Sequence, residues 1–100
     1  MNINTFKFDL KSLQDDMKAL TDRLNDIRAT GYAGGDMVSV TLNGSNQAVS
    51  VTISDEAAAL GRQALETLVC AAINDASEKI NAEKISVQQE LAQSRFPGLF

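Results

Sequence analysis

Between Ile3 and Ile27 the apolar residues fall in unbroken heptad order. Ile3, Leu10, Met17 and Leu24 occupy the a positions, and Phe6, Leu13, Leu20 and Ile27 the d positions. A stripe sustained over almost four heptads predicts a helix of coiled-coil grade. From about Asn4 to Ile27 such a helix would run roughly 35 Å at 1.5 Å per residue, further than three short strands laid side by side are wide. Part of it must therefore project beyond any small sheet it packs on. A chain of 100 residues supports one core, so residues 1–100 are read as a single domain. Alone, a chain this short buries only about 60 to 68% of the surface its unfolded form exposes, and one copy has more apolar helix surface than its own sheet can cover. The pattern therefore predicts a homodimer.

The character of the chain changes at Thr30-Gly31-Tyr32-Ala33-Gly34-Gly35, where three glycines end any helix and a turn or irregular edge strand fits. Val38, Val40 and Leu42 then alternate with Ser39, Thr41 and Asn43. After Asn43-Gly44-Ser45-Asn46 the alternation resumes as Val49, Val51 and Ile53 against Ser50, Thr52 and Ser54. This predicts a β-hairpin with one apolar and one Ser/Thr-rich face, its loop of two to four residues supplied with positive φ by the Asn-Gly pair. Helices should cover the apolar face and leave the other polar.

Ser54 and Asp55 are N-cap candidates for a second helix, with Gly61 separating a short first turn from a main segment that begins around Arg62. Leu65, Leu68, Val69, Ala72, Ile73, Ala76 and Ile80 then recur at spacings of three and four, and Ala71, Ala72 and Ala76 permit a close approach. Pro97 stops the helix and leaves Phe96-Pro97-Gly98-Leu99-Phe100 as an apolar tail. The expected layout is helix 1 over 1–28, strands over 29–54, helix 2 over 55–94 and the tail over 95–100.

The residue types present narrow the chemistry. There is no His, the side chain most used as a general base near neutral pH and the commonest metal ligand. The lone Cys70 permits no internal disulfide and no metal half-site, and inside an apolar helical stretch it reads as a small buried core residue. The glycine cluster at 31–35 lacks the Gly-Lys-Ser/Thr that would cradle a phosphate, and a strand follows it where a helix N-terminus would be needed. Asp15/Asp16 and Asp22/Asp26 lie on the polar side of the heptad helix, as a solvated face. No nucleophile stands beside a base, so the expectation is a protein that is not an enzyme and uses no cofactor, metal or small-molecule substrate. No run approaches the 18 apolar residues of a membrane span, and Met1 to Thr5 carries neither a basic nor an apolar signal region. A cytoplasmic location follows.

Lys and Arg number 9 against 13 Asp and Glu, a net charge of −4, which is not the globally basic surface of most nucleic-acid binders. Any contact with DNA must use a local patch. Lys7, Lys11 and Lys18 fall at e, b and b of the heptad and line one flank of helix 1, with Arg23 and Arg28 further down. Helix 2 adds Lys79 and Lys84 on its distal half, where it would run beside helix 1.

The order of segments, a heptad helix, Thr30-Gly31, the Val-x-Val-Thr-x-Asn-Gly run at Val38 to Gly44, Leu65 to Ile80 with Ala71-Ala72-Ile73-Asn74-Asp75-Ala76, and Pro97-Gly98-Leu99-Phe100, resembles the YbaB/EbfC family of bacterial nucleoid-associated proteins. The resemblance spans nearly the whole chain. It implies an α+β fold of two layers in the order α-β-β-β-α, with a three-stranded antiparallel sheet and long helices. It also implies a tight homodimer with projecting helices in a tweezer-like shape, DNA binding, and a chromosome-organising or regulatory role at the nucleoid. With the basic flank, it makes Lys7, Lys11, Lys18, Arg23, Lys79 and Lys84 the candidate contacts to duplex DNA, mostly through phosphates. The alternative is an acidic structural or adaptor dimer that holds a protein partner through a groove or through Phe96, Leu99 and Phe100.

Overall fold

The computed structural model describes residues 10–95, so Lys7 and the apolar tail lie outside the described residues. The elements run α1 (Leu10–Asn25), β1 (Arg28–Ala33), β2 (Val38–Asn43), β3 (Ala48–Ile53), α2 (Asp55–Ala59) and α3 (Arg62–Arg95). The strands form one antiparallel meander in the order β1-β2-β3. This is the α+β arrangement in the order α-β-β-β-α, with the five-residue α2 as a step before the long α3.

Ala29, Gly31 and Ala33 of β1 stand opposite Leu42, Val40 and Val38 of β2, and this face meets Ala72, Ala76 and Ile80 of α3. Val38, Val40, Ala72, Ala76 and Ile80 are fully buried. The layers meet closely because Gly31 has no side chain: a Cβ there would strike the carbonyl of Ala72 and the amide of Ala76. Thus Thr30-Gly31 begins no irregular segment. It lies inside a regular edge strand whose backbone touches the helix backbone.

The polar face carries Thr30 and Thr41, whose hydroxyls share a 2.8 Å hydrogen bond. Ser54 caps α2, its hydroxyl accepting from the amide of Ala57 at 3.1 Å. Gly61, at φ 100°, turns the chain between α2 and α3 in a region that side chains rarely adopt.

Three further expectations are corrected. In the hairpin loop it is Asn46, at φ 61°, that takes the left-handed conformation, and Gly44 serves packing instead, since a Cβ there would strike the carbonyl of Leu24 at the end of α1. Cys70 is exposed. At 100° per residue the inward direction set by Val69, Ala72, Ala76 and Ile80 leaves positions 70 and 71 turned away, and Ala71 is exposed as well. Finally, the apolar sheet face is only partly covered. Val51 and Ile53 pair with Val40 and Val38 and so share the α3 side of the sheet, yet Val49, Val51 and Ile53 are 52%, 51% and 42% exposed because α3 packs chiefly over β1 and β2.

Candidate nucleic-acid interface

The 34 residues of α3 would span roughly 51 Å, against about 20 Å for a six-residue strand, so its distal half runs on past the sheet. Helix α1 leaves the sheet at the same end, and the described residues extend 74 Å in their longest dimension. No residue of α1 is buried. Its ties to the rest of the fold include three near its C-terminal end: Arg23 donates to Glu90 of α3 at 3.1 Å, Ser45 of the hairpin loop donates to Asn25 at 2.8 Å, and the Leu24 carbonyl sits against Gly44. Arg28 closes the helix end, donating to the carbonyls of Asn25 and Ile27 at 3.0 and 3.1 Å.

On this projecting helix Lys11 and Lys18 are exposed and two turns apart, roughly 10.5 Å along the axis. Arg23–Glu90, Arg62–Glu66 and Lys79–Asp75 form ion pairs, and neither lysine of α1 takes part in any of these three. Asp15 and Asp22 follow these lysines by four residues, but a base preceding an acid is the weaker orientation for such a pair. The outer face of α1 therefore offers two ammonium groups interleaved with carboxylates.

The other candidates are placed differently. Arg23 is held by Glu90, across the gap between α1 and α3. Lys84 is half-buried on α3. Lys79 is drawn to the sheet: its Nζ donates to the Thr30 carbonyl at 3.0 Å, pairs with Asp75 at 3.0 Å and lies 5.1 Å from the centre of the Tyr32 ring. Asp75 in turn accepts the Tyr32 amide at 2.9 Å. This amide, and to a lesser degree the Lys79 ammonium, hold the Asp75 carboxyl below its ordinary value, against a smaller opposing effect of desolvation. Together Asp75 and Lys79 satisfy the free edge of β1, one acting as acceptor and the other as donor. The structure thus brings Lys11 and Lys18 onto one face and sets Lys79 apart from them. The i, i+4 spacing of Asp75 and Lys79 is the only sequence signal of the edge closure, and it does not reveal which strand the pair meets.

Between α1 and distal α3 lies an open cleft of about 570 Å³, walled by Leu13, Met17 and Leu20 on one side and Leu91 and Ala92 on the other. Among the described residues no three of His, Cys, Asp or Glu converge to hold a metal ion, and no helix is long and apolar enough to cross a membrane.

Comparison with known proteins gives a consistent result. The model of the YbaB/EbfC DNA-binding family matches residues 1–96. A nucleoid-associated protein of Xanthomonas campestris pv. campestris is 38% identical over 82 residues, which is 82% of this chain and 76% of that protein. A nucleoid-associated protein of Coxiella burnetii is 33% identical over 79 residues, 79% of this chain and 72% of the relative. A crystal structure of an uncharacterized protein from Helicobacter pylori superposes with a TM-score of 0.62 at 23% identity, covering 82% of this chain and 96% of that one, and so shares its fold.

Proposed function

We propose that this chain, which belongs to the YbaB/EbfC DNA-binding family, is a DNA-binding protein of the bacterial nucleoid that works as a homodimer and grips duplex DNA through phosphates. The observation that carries this reading is the pair Lys11 and Lys18, exposed and outside the three ion pairs above, on a helix that projects from the core. Ammonium groups on a helix face meet phosphate oxygens as point charges and read little sequence. Lys84 and Lys7 are the supporting contacts. Arg23 and Lys79 would join only by giving up Glu90 and the β1 edge respectively, so their share is the smallest.

The dimer is supported by what one chain leaves uncovered. Val49, Val51 and Ile53 form an apolar strip on the α3 side of the sheet, and Ile73 of α3 is 39% exposed. A second copy on this strip would complete the layer that α3 leaves unfinished over β3. With the strip buried, the long helices of both copies would remain free to hold a duplex, in a cytoplasmic protein associated with the nucleoid.

The acidic balance and the carboxylates of Asp15 and Asp22 beside the lysines favour the second reading, an adaptor dimer that holds a protein partner. One titration separates the two. In fluorescence anisotropy with a mixed-sequence duplex, phosphate binding appears at low salt and falls steeply toward physiological salt, because each neutralised phosphate releases counterions. No binding at either salt would leave the adaptor reading.

A further inference from the structure

We infer that the open side of the cleft between α1 and distal α3 is a docking surface for α1 of a second copy of this chain, laid antiparallel and joined by reciprocal Asp16–Arg23 ion pairs. The side chains that α1 presents to the cleft include Leu13, Asp16, Met17, Leu20 and Arg23. In the heptad these are d, g, a, d and g positions, the seam by which one helix of a coiled coil meets another. Across from them α3 supplies Gln88, Leu91 and Ala92. The described residues leave this seam uncovered: Leu10, Leu13 and Met17 are 65%, 38% and 61% exposed, and no residue of α1 is buried.

The charges select both the occupant and its direction. In an antiparallel pair a positions meet d positions, so Leu13 faces the partner subunit's Leu24 and Met17 the partner subunit's Leu20. The same register brings Asp16 beside the partner subunit's Arg23, and the two-fold axis brings Arg23 beside the partner subunit's Asp16. A parallel pair would instead set Arg23 beside the partner subunit's Arg28 and Asp16 beside the partner subunit's Thr21, one repulsive contact and no attractive one. Arg23 can serve two carboxylates, since its guanidinium carries several donors and gives one of them to Glu90 at 3.1 Å.

The copy on this cleft is not the one on β3. Antiparallel helices set their two sheets at opposite ends of the pair, so α1 joins one dimer to the next. With 16 residues α1 offers little more than two heptads, an interface at the small end of the specific range, and the association belongs above micromolar concentration. Lys11 and Lys18 fall at b positions, outside the seam. On the DNA-binding reading above, on which this last step alone rests, the contact ties together two gripped duplexes.

The test is analytical ultracentrifugation of the full chain without DNA, from micromolar to millimolar concentration, so its outcome is separate from that of the duplex titration. The expected result is a mass that climbs past its micromolar value toward twice that value. Asp16→Arg and Arg23→Asp each set like charges against one another and should weaken this second association about tenfold or more. Asp16 is half-buried and Arg23 exposed, so the fold should survive either change. An equal mixture of the two variants should regain the association, because each supplies the charge that the other lacks, and so should the chain that carries both changes. A parent mass that stays flat overturns the inference and leaves the cleft to its own chain or to another protein. A climb that both variants keep undiminished overturns it too, as does failure of both the mixture and the doubly changed chain to assemble better than the single variants.

Discussion

The two ends of α3 are packed in opposite ways. Over the sheet, from Leu65 to Ile80, the helix meets β1 with small residues on both sides, and Gly31 brings backbone against backbone. Beyond the sheet the same helix faces α1 across an open cleft, with larger side chains on both walls and nothing buried on α1. Small residues create the core because they remove distance between layers, so that Val38, Val40 and Ile80 can fill what remains. Large apolar residues that stay exposed serve assembly instead, either with another copy or with another part of the chain.

That contrast is broken most severely at Gly31. In Gly31→Val the new side chain meets the backbone of Ala72 and Ala76, which cannot rotate out of the way, and the cost should be roughly 3 kcal/mol or more. Met17→Ala, in the open half, should stay within about 0.5 kcal/mol of the parent. Urea denaturation of both variants measures the difference directly. Equal losses would mean that the distal half is packed as tightly as the sheet.

The next largest effect is on assembly. Val51→Asp puts a charge on a strand position that is half exposed in one chain but would be central in the proposed dimer. The fold should survive, while dimerisation weakens at least about 100-fold, near 2.7 kcal/mol. Light scattering at micromolar concentration should then give the 10.7 kDa mass of one chain in place of twice that value. A variant that keeps the doubled mass would move the interface off β3.

Much of this contrast is legible in the sequence, and the rest is not for physical reasons. Alternation over Val38 to Leu42 and Val49 to Ile53 identifies two strands and their apolar face, because a strand's period of two is strict. It does not say how far a helix extends over that face, so the exposure of β3 emerges only from the path of α3. The three- and four-residue spacing locates Ala72, Ala76 and Ile80, but a stripe around 100° wide blurs its margins, and Cys70 and Ala71 fall outside it. The heptad names the right side chains on α1 without naming their partner, and the cleft is the result. Among the candidate contacts, Lys11 and Lys18 are placed by helical phase alone, whereas the engagement of Lys79 with the β1 edge is a long-range event that spacing cannot encode.

Charge reversal at the open end sharpens the comparison further. Lys11→Glu with Lys18→Glu should leave stability within about 0.5 kcal/mol, since both side chains are exposed. DNA affinity at low salt should fall about tenfold or more, and the slope of log K against log salt should flatten by roughly 0.9 for each phosphate that is no longer neutralised. The matching change at the sheet, Lys79→Glu, should act on the fold instead, because it places a carboxylate beside Asp75 and the Thr30 carbonyl. Anisotropy and denaturation curves on the two proteins separate a binding lysine from an edge lysine. If Lys79→Glu weakens DNA binding without loss of stability, the assignment is reversed.

The smallest effect belongs to Asp75, and its sign is set by which form of the carboxyl the fold prefers. The Tyr32 amide and Lys79 favour the carboxylate, so the group titrates below its ordinary 3.8 in the folded chain. Its contribution is therefore present above that value and is lost as pH falls through the lower, folded one. In Asp75→Asn an amide oxygen can still accept from Tyr32, but the charge that pairs with Lys79 is gone and nothing titrates. Unfolding followed from neutral pH into acid should show a shallower decline for the variant, with the two curves converging in strong acid where the parent's carboxyl is also neutral. An unchanged decline would mean that Asp75 holds the β1 edge by geometry alone, and that the Lys79 charge is balanced by solvent as readily as by its neighbour.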